Sequence, residues 1–191
     1  PMPDLSPGGR SAAGRLSQLA WVPIPLLLAT VMVLRVADVR TVYESRLLLL
    51  LLHLVFSTLI SVLVAVLAGR SYLERGNPGL LLMGSGVLLW GTAGATASLM
   101  MVRGSNAAVT VHNLLLWLSS VCHLTGALLS RHGPRPARVP GVLLALAYTG
   151  VVCTVWLVAV LAAEGWTPVF FVQGRGGTPL RQLVLGSAAA M

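Results

Sequence analysis

Residues 79–102 read Gly-Leu-Leu-Leu-Met-Gly-Ser-Gly-Val-Leu-Leu-Trp-Gly-Thr-Ala-Gly-Ala-Thr-Ala-Ser-Leu-Met-Met-Val, an apolar stretch without a charge. A helix needs about 20 mainly apolar residues to cross a hydrocarbon core of about 30 Å, and this stretch is long enough. It also carries Gly84, Ser85, Gly86, Gly91, Thr92, Gly94, Ala95, Ala97 and Ser98. Such small residues let helix backbones approach closely inside a membrane. The sequence therefore predicts a transmembrane helix at the centre of a bundle.

Four more stretches of the same kind surround it, at 19–39, 47–67, 107–129 and 142–163. The first is the weakest, with Pro23 and Pro25 near its start and Arg35 near its end. A sixth apolar run begins at Pro179 and continues to Met191. As a helix it would rise only about 20 Å, too little to span. The fold class expected is all-α: a polytopic transmembrane bundle of five complete spans plus a truncated sixth, the N-terminal piece of something longer. Residues 1–18, rich in Pro, Gly, Ser and Arg, read as a disordered basic cytoplasmic tail. An uncleaved first helix fits better than a signal peptide, because the apolar run passes Val33 without a clean small-residue cleavage site.

Composition agrees with that class. Of 191 residues, 56% are hydrophobic and 9% charged, where a soluble domain carries roughly a quarter charged residues. Disordered chains are poor in apolar residues, so wholesale disorder is excluded too. The net charge of +8 comes entirely from arginine. These arginines are scattered between apolar blocks with few aromatic residues, which excludes nucleic acid as a partner and makes the lipid bilayer the expected one. Cys122 and Cys153 lie inside apolar stretches, where packing is the expected role. With a cytoplasmic N-terminus, the inner side carries Arg10, Arg15, Arg70, Arg75, Arg131, Arg135 and Arg138, and the outer side the other six. The concentrated run from Arg131 to Arg138 favours this orientation.

Chemistry inside the spans is sparse. Asp38, Glu44, Glu74 and Glu164 fall at span edges or in loops, which disfavours a coupled transporter and removes ligands for hard metal ions. No phosphate loop, Ser/His/Asp set or HExxH motif occurs, and no catalytic residue is expected. The histidines are the polar set to weigh. His53 and His112 should lie at similar depth, roughly 9–10 Å below the outer boundary. Two histidines so placed could ligate one transition metal or haem. His123, eleven residues beyond His112, shares nearly the same helical face and is a possible third ligand. Trp117 lies nearby, and Asn113 could supply a supporting hydrogen bond. The alternative is that each histidine bonds a neighbouring helix through Ser57, Thr58, Ser119 or Thr110.

The segment 164–178 is the longest loop. Trp166, Phe170, Phe171 and Arg175 make it an interfacial segment or a cap over the outer helix ends. Its end predicts a helix start, with Thr178 as N-cap and Pro179 in the first helical position.

The chain resembles MASE-type membrane-associated sensor regions, particularly the third class, over roughly residues 46–191. The clearest motif is Val169-Phe-Phe-Val-Gln-Gly-Arg-Gly-Gly-Thr-Pro-Leu-Arg181, similar to that family's aromatic and Gly-x-Gly loop entering a final helix through Thr-Pro and a basic residue. A second match is Leu52-His53 opening the second span, followed by a short charged turn from Gly69 to Arg75. Two positions depart from the pattern: Trp90-Gly-Thr-Ala-Gly94 replaces a polar centre, and Gln182-Leu-Val-Leu185 follows Arg181. The resemblance implies a bacterial inner-membrane sensory module, not itself an enzyme. Its last helix would relay a signal to a PAS, histidine-kinase or diguanylate-cyclase module in the same polypeptide, which the resemblance implies is a homodimer.

Overall fold

The computed structural model describes residues 23–36, 45–133 and 139–191. The predicted tail 1–18, the ends of the first span, and Arg10, Arg15, Arg40, Arg135 and Arg138 lie outside these residues. Two units separate at residue 44. The first contributes α1 (Pro23–Val36), a 14-residue apolar helix.

The second unit begins with α2, a rod over 46–75 in three parts: Arg46–Leu52, a π-helical stretch His53–Thr58, and Leu59–Arg75. Ser45 caps its start by accepting from the Leu48 N–H. Then follow α3 (Pro78–Met100), a 3-10 turn (Met101–Arg103), α4 (Ser105–Ser130) and α5 (Pro140–Ala163). Two strands, β1 (Phe171–Val172) and β2 (Gly176–Gly177), pair antiparallel and lead into α6 (Pro179–Ala190). Four of these segments are long and apolar enough to cross a membrane: Leu47–Arg75, Pro78–Arg103, Ser105–Ser130 and Pro140–Ala163.

The all-α expectation holds, with the small hairpin as its one addition among the described residues. Two boundaries need correction. The stretch Gly69–Arg75 is not a turn: α2 continues through it to Arg75, and Gly76 ends the helix at φ 64°. Hydropathy falls there, but Gly69 and Tyr72 are buried, so the extra turns are held by packing. The longest loop contains an ordered hairpin, which two-residue strands separated by Gln173-Gly-Arg175 gave no periodic signal to reveal.

The expected central helix is central. Helix α3 packs most extensively on α4 and also contacts α2 and α5, while α6 lies along α4. Its buried positions are Gly79, Gly84, Ser85, Gly86, Leu89, Gly91, Ala93, Gly94 and Ala95. Close approach explains the glycines: a Cβ at Gly94 would lie 2.7 Å from His53 Nε2, and one at Gly86 would lie 2.7 Å from His123 Nδ1. The outside is the reverse of a soluble protein. Leu51, Leu59, Leu63, Leu146, Val152 and Trp156 are exposed, while Ser61, Ser85, Thr110, Asn113 and Ser119 are buried. With lipid outside, association depends on close packing and interhelical hydrogen bonds rather than on burying apolar surface.

Candidate functional site

The histidines occupy three different settings. His53 opens the π-helical stretch of α2 and rests against Gly94 of α3. Its Nδ1 lies 3.3 Å from the Ser98 hydroxyl, which itself donates to the Gly94 carbonyl. Five residues on, Thr58 donates to the Gly91 carbonyl at 2.8 Å. Small residues on α3 thus create the slot, and the wider π turn of α2 lies in it.

His112 is half-buried on α4 and hydrogen-bonds the Ala93 backbone. His53 and Arg181 lie in its neighbourhood. The structure places His53 and His112 at adjacent positions of α3, against Gly94 and Ala93. His123 lies elsewhere along α4. Its Nδ1 donates to the Ser119 carbonyl at 2.8 Å, which leaves the lone pair on Nε2. With Trp90 it borders two open grooves of about 410 and 370 Å³. Among the described residues, no three His, Cys, Asp or Glu side chains form a metal-ligating group. His132 is exposed.

The polar bonds expected for the histidines fall partly on other residues. Ser119 meets His123 within α4 rather than across helices, and its hydroxyl donates to the Gly86 carbonyl of α3. Thr58 bonds α3 directly rather than a histidine. Ser98 was not legible as the partner of His53, since its choice depends on how two helices are rotated.

The hairpin is fixed from below by a residue that sequence reasoning missed. Asn106 Oδ1 accepts from the backbone N–H groups of Phe170 and Phe171, at 3.0 and 2.9 Å. Phe170 is 1% exposed, whereas Trp166 is 80% exposed. The segment carrying Trp166, Phe170 and Phe171 is thus anchored through Phe170, with Trp166 exposed. Arg175 is exposed at the hairpin turn, its N–H bonded to the Val172 carbonyl. Thr178 accepts from the Arg181 N–H as N-cap and donates to the Val169 carbonyl at 2.9 Å, and Pro179 takes the first helical position as expected. Further along α6, Ser187 accepts from the Trp117 indole at 3.1 Å.

Four buried side-chain atoms lack a hydrogen-bond partner among the described residues: Ser61 Oγ, Thr110 Oγ1, Asn113 Nδ2 and Arg181 Nε. Three of the four belong to α4 and the start of α6.

No protein-family model, curated protein or solved structure matches this chain.

Proposed function

We propose that the chain is the input module of a bacterial membrane sensor, set in the cytoplasmic membrane with its N-terminus inside. In that arrangement α1 and α6 belong to a fifth span and to the beginning of a sixth. A signal at the outer half of the bundle shifts α6, and α6 passes the shift to a PAS, histidine-kinase or cyclase module in the same polypeptide, which acts as a homodimer.

The observation that carries this proposal is the attachment of α6. No residue of α6 is buried. Besides packing along α4, its polar ties among the described residues include the hairpin at its head and the Trp117–Ser187 hydrogen bond along its length. A helix held by a few polar bonds can move between two packings, and a ligand moves it only by favouring one of them.

The test fuses the chain to a diguanylate-cyclase domain, with Cys122 and Cys153 replaced by alanine and the pair Trp117→Cys and Ser187→Cys introduced. Oxidation that locks α6 to α4 should change cyclic-dinucleotide production at least threefold, reversibly with reductant. Equal output in the oxidised and reduced forms overturns the relay.

A second reading rests on the proximity of His53 and His112. A haem or transition metal held by that pair would make the bundle a cytochrome-like protein or a cofactor-based sensor. Reconstitution with haemin should then give a Soret band lost in His53→Ala and His112→Ala. Absence of the band, and of bound transition metal, overturns it.

A further inference from the structure

We propose that the bundle holds a carboxylate-binding site beneath the hairpin, formed by Arg181, Asn113 and Thr110. The inference concerns binding alone and stands or falls separately from the relay through α6.

Asn106, Thr110, Asn113 and Trp117 follow one another at spacings of four, three and four, which places them on one stripe of α4. The two ends of the stripe are fixed by contacts. Asn106 bonds the hairpin, and Trp117 bonds Ser187 of α6. Thr110 and Asn113 therefore lie between them, on the side of α4 that α6 and the hairpin cover. Both are almost wholly buried, at 0% and 3% exposure, yet Thr110 Oγ1 and Asn113 Nδ2 are unpartnered. Helices usually satisfy such groups, because an unpaired buried polar atom costs about 1–3 kcal/mol.

Arg181 comes to the same level. Helices α4 and α6 both start at the hairpin and run in parallel, tied at Trp117 and Ser187. Six residues back from that tie, about 9 Å along each axis, are Val111 on α4 and Arg181 on α6. The proximity of Arg181 to His112 agrees. Its side chain folds back along Gly177, and its Nε is buried without a partner. The two described carboxylates, Glu74 and Glu164, are exposed.

The unmet needs are of one kind. Asn113 Nδ2 and Arg181 Nε can only donate, and Thr110 Oγ1 can donate. A guanidinium matches a carboxylate through two parallel N–H···O bonds, a geometry that a monatomic anion cannot use. The same cation opposes a bare metal ion beside His112. The carboxylate can come from water, as a small free acid, or from the bilayer, as the headgroup of a fatty acid.

The test is calorimetric titration of the full chain in phosphatidylcholine nanodiscs, with acetate, oleate and chloride as separate probes. Saturable binding of acetate or oleate is expected. Acetate binding identifies the aqueous source, and binding of oleate alone identifies the bilayer source. Affinity should fall at least tenfold in Arg181→Met and in Asn113→Leu, and severalfold in Arg181→Lys, which keeps the charge but loses the fork. Circular dichroism and melting of each variant confirm that it is folded. Three outcomes overturn the site: no saturable binding of either carboxylate, affinity unchanged in folded Arg181→Met, or chloride binding as strong as acetate.

Discussion

The close contacts of α3 are made residue by residue, and single substitutions should separate them. Gly94 rests on the His53 ring, whereas Gly150 of α5 has no atom within 4 Å of a Cβ built on it. Gly94→Val forces the imidazole away and overpacks the interface, at a cost of about 1–3 kcal/mol. Gly150→Ala should be neutral or stabilising by up to about 1 kcal/mol, through helix propensity. Thermal unfolding in detergent checks the pair, and equal melting temperatures would contradict the packing described. Asn106 gives a second contrast. Asn106→Leu strands the Phe170 and Phe171 N–H groups and should speed proteolysis within 165–178 severalfold. Asn106→Asp keeps an acceptor and should protect the segment. Asn106 carried no sign of this role in the sequence, because its partners are more than sixty positions away. Thr178 did carry one, because an N-cap is written within four residues.

Among elements, local signals were legible and lateral ones were not. The helix starts at Pro78, Pro140 and Pro179 follow the preference for proline in the first turn. The π stretch of α2 had no such signal: His53, Ser57 and Thr58 interrupt the apolar run, but no residue type marks a wider turn, and only its fit against α3 distinguishes it. The start of α6 rests on Thr178, which joins the hairpin and caps the helix at once. Thr178→Val should lower stability by about 0.5–2 kcal/mol. A spin label on Leu183 should become more mobile in that variant, and unchanged mobility would show that Trp117–Ser187 alone positions α6.

For the whole molecule, the outer surface of α2 and α5 is almost continuously apolar, as a helix facing lipid would be. If α2 to α5 each cross a bilayer, the turn at Gly76 and the loop at His132 fall on one side, and Gly104 and Trp166 on the other. Single cysteines at these four positions, in a background without Cys122 and Cys153, should react with a membrane-impermeant maleimide in two matched pairs. The pair from Gly76 and His132 should label only after cells are opened, if the N-terminus is inside. Labelling of all four from outside would break the topology.

Hydropathy and length by themselves determined the class of fold and the helices from 45 onward, because a span must be apolar and about 20 residues long wherever it sits. The small residues of 79–102 also identified the central helix, because close backbone approach requires them. Only the tertiary structure decided that Ser98 meets His53, that Asn106 holds the hairpin, and that polar atoms of Thr110, Asn113 and Arg181 are buried without partners among the described residues. Those meetings depend on the rotation and register of whole helices, which many weak contacts set together. No single residue encodes them.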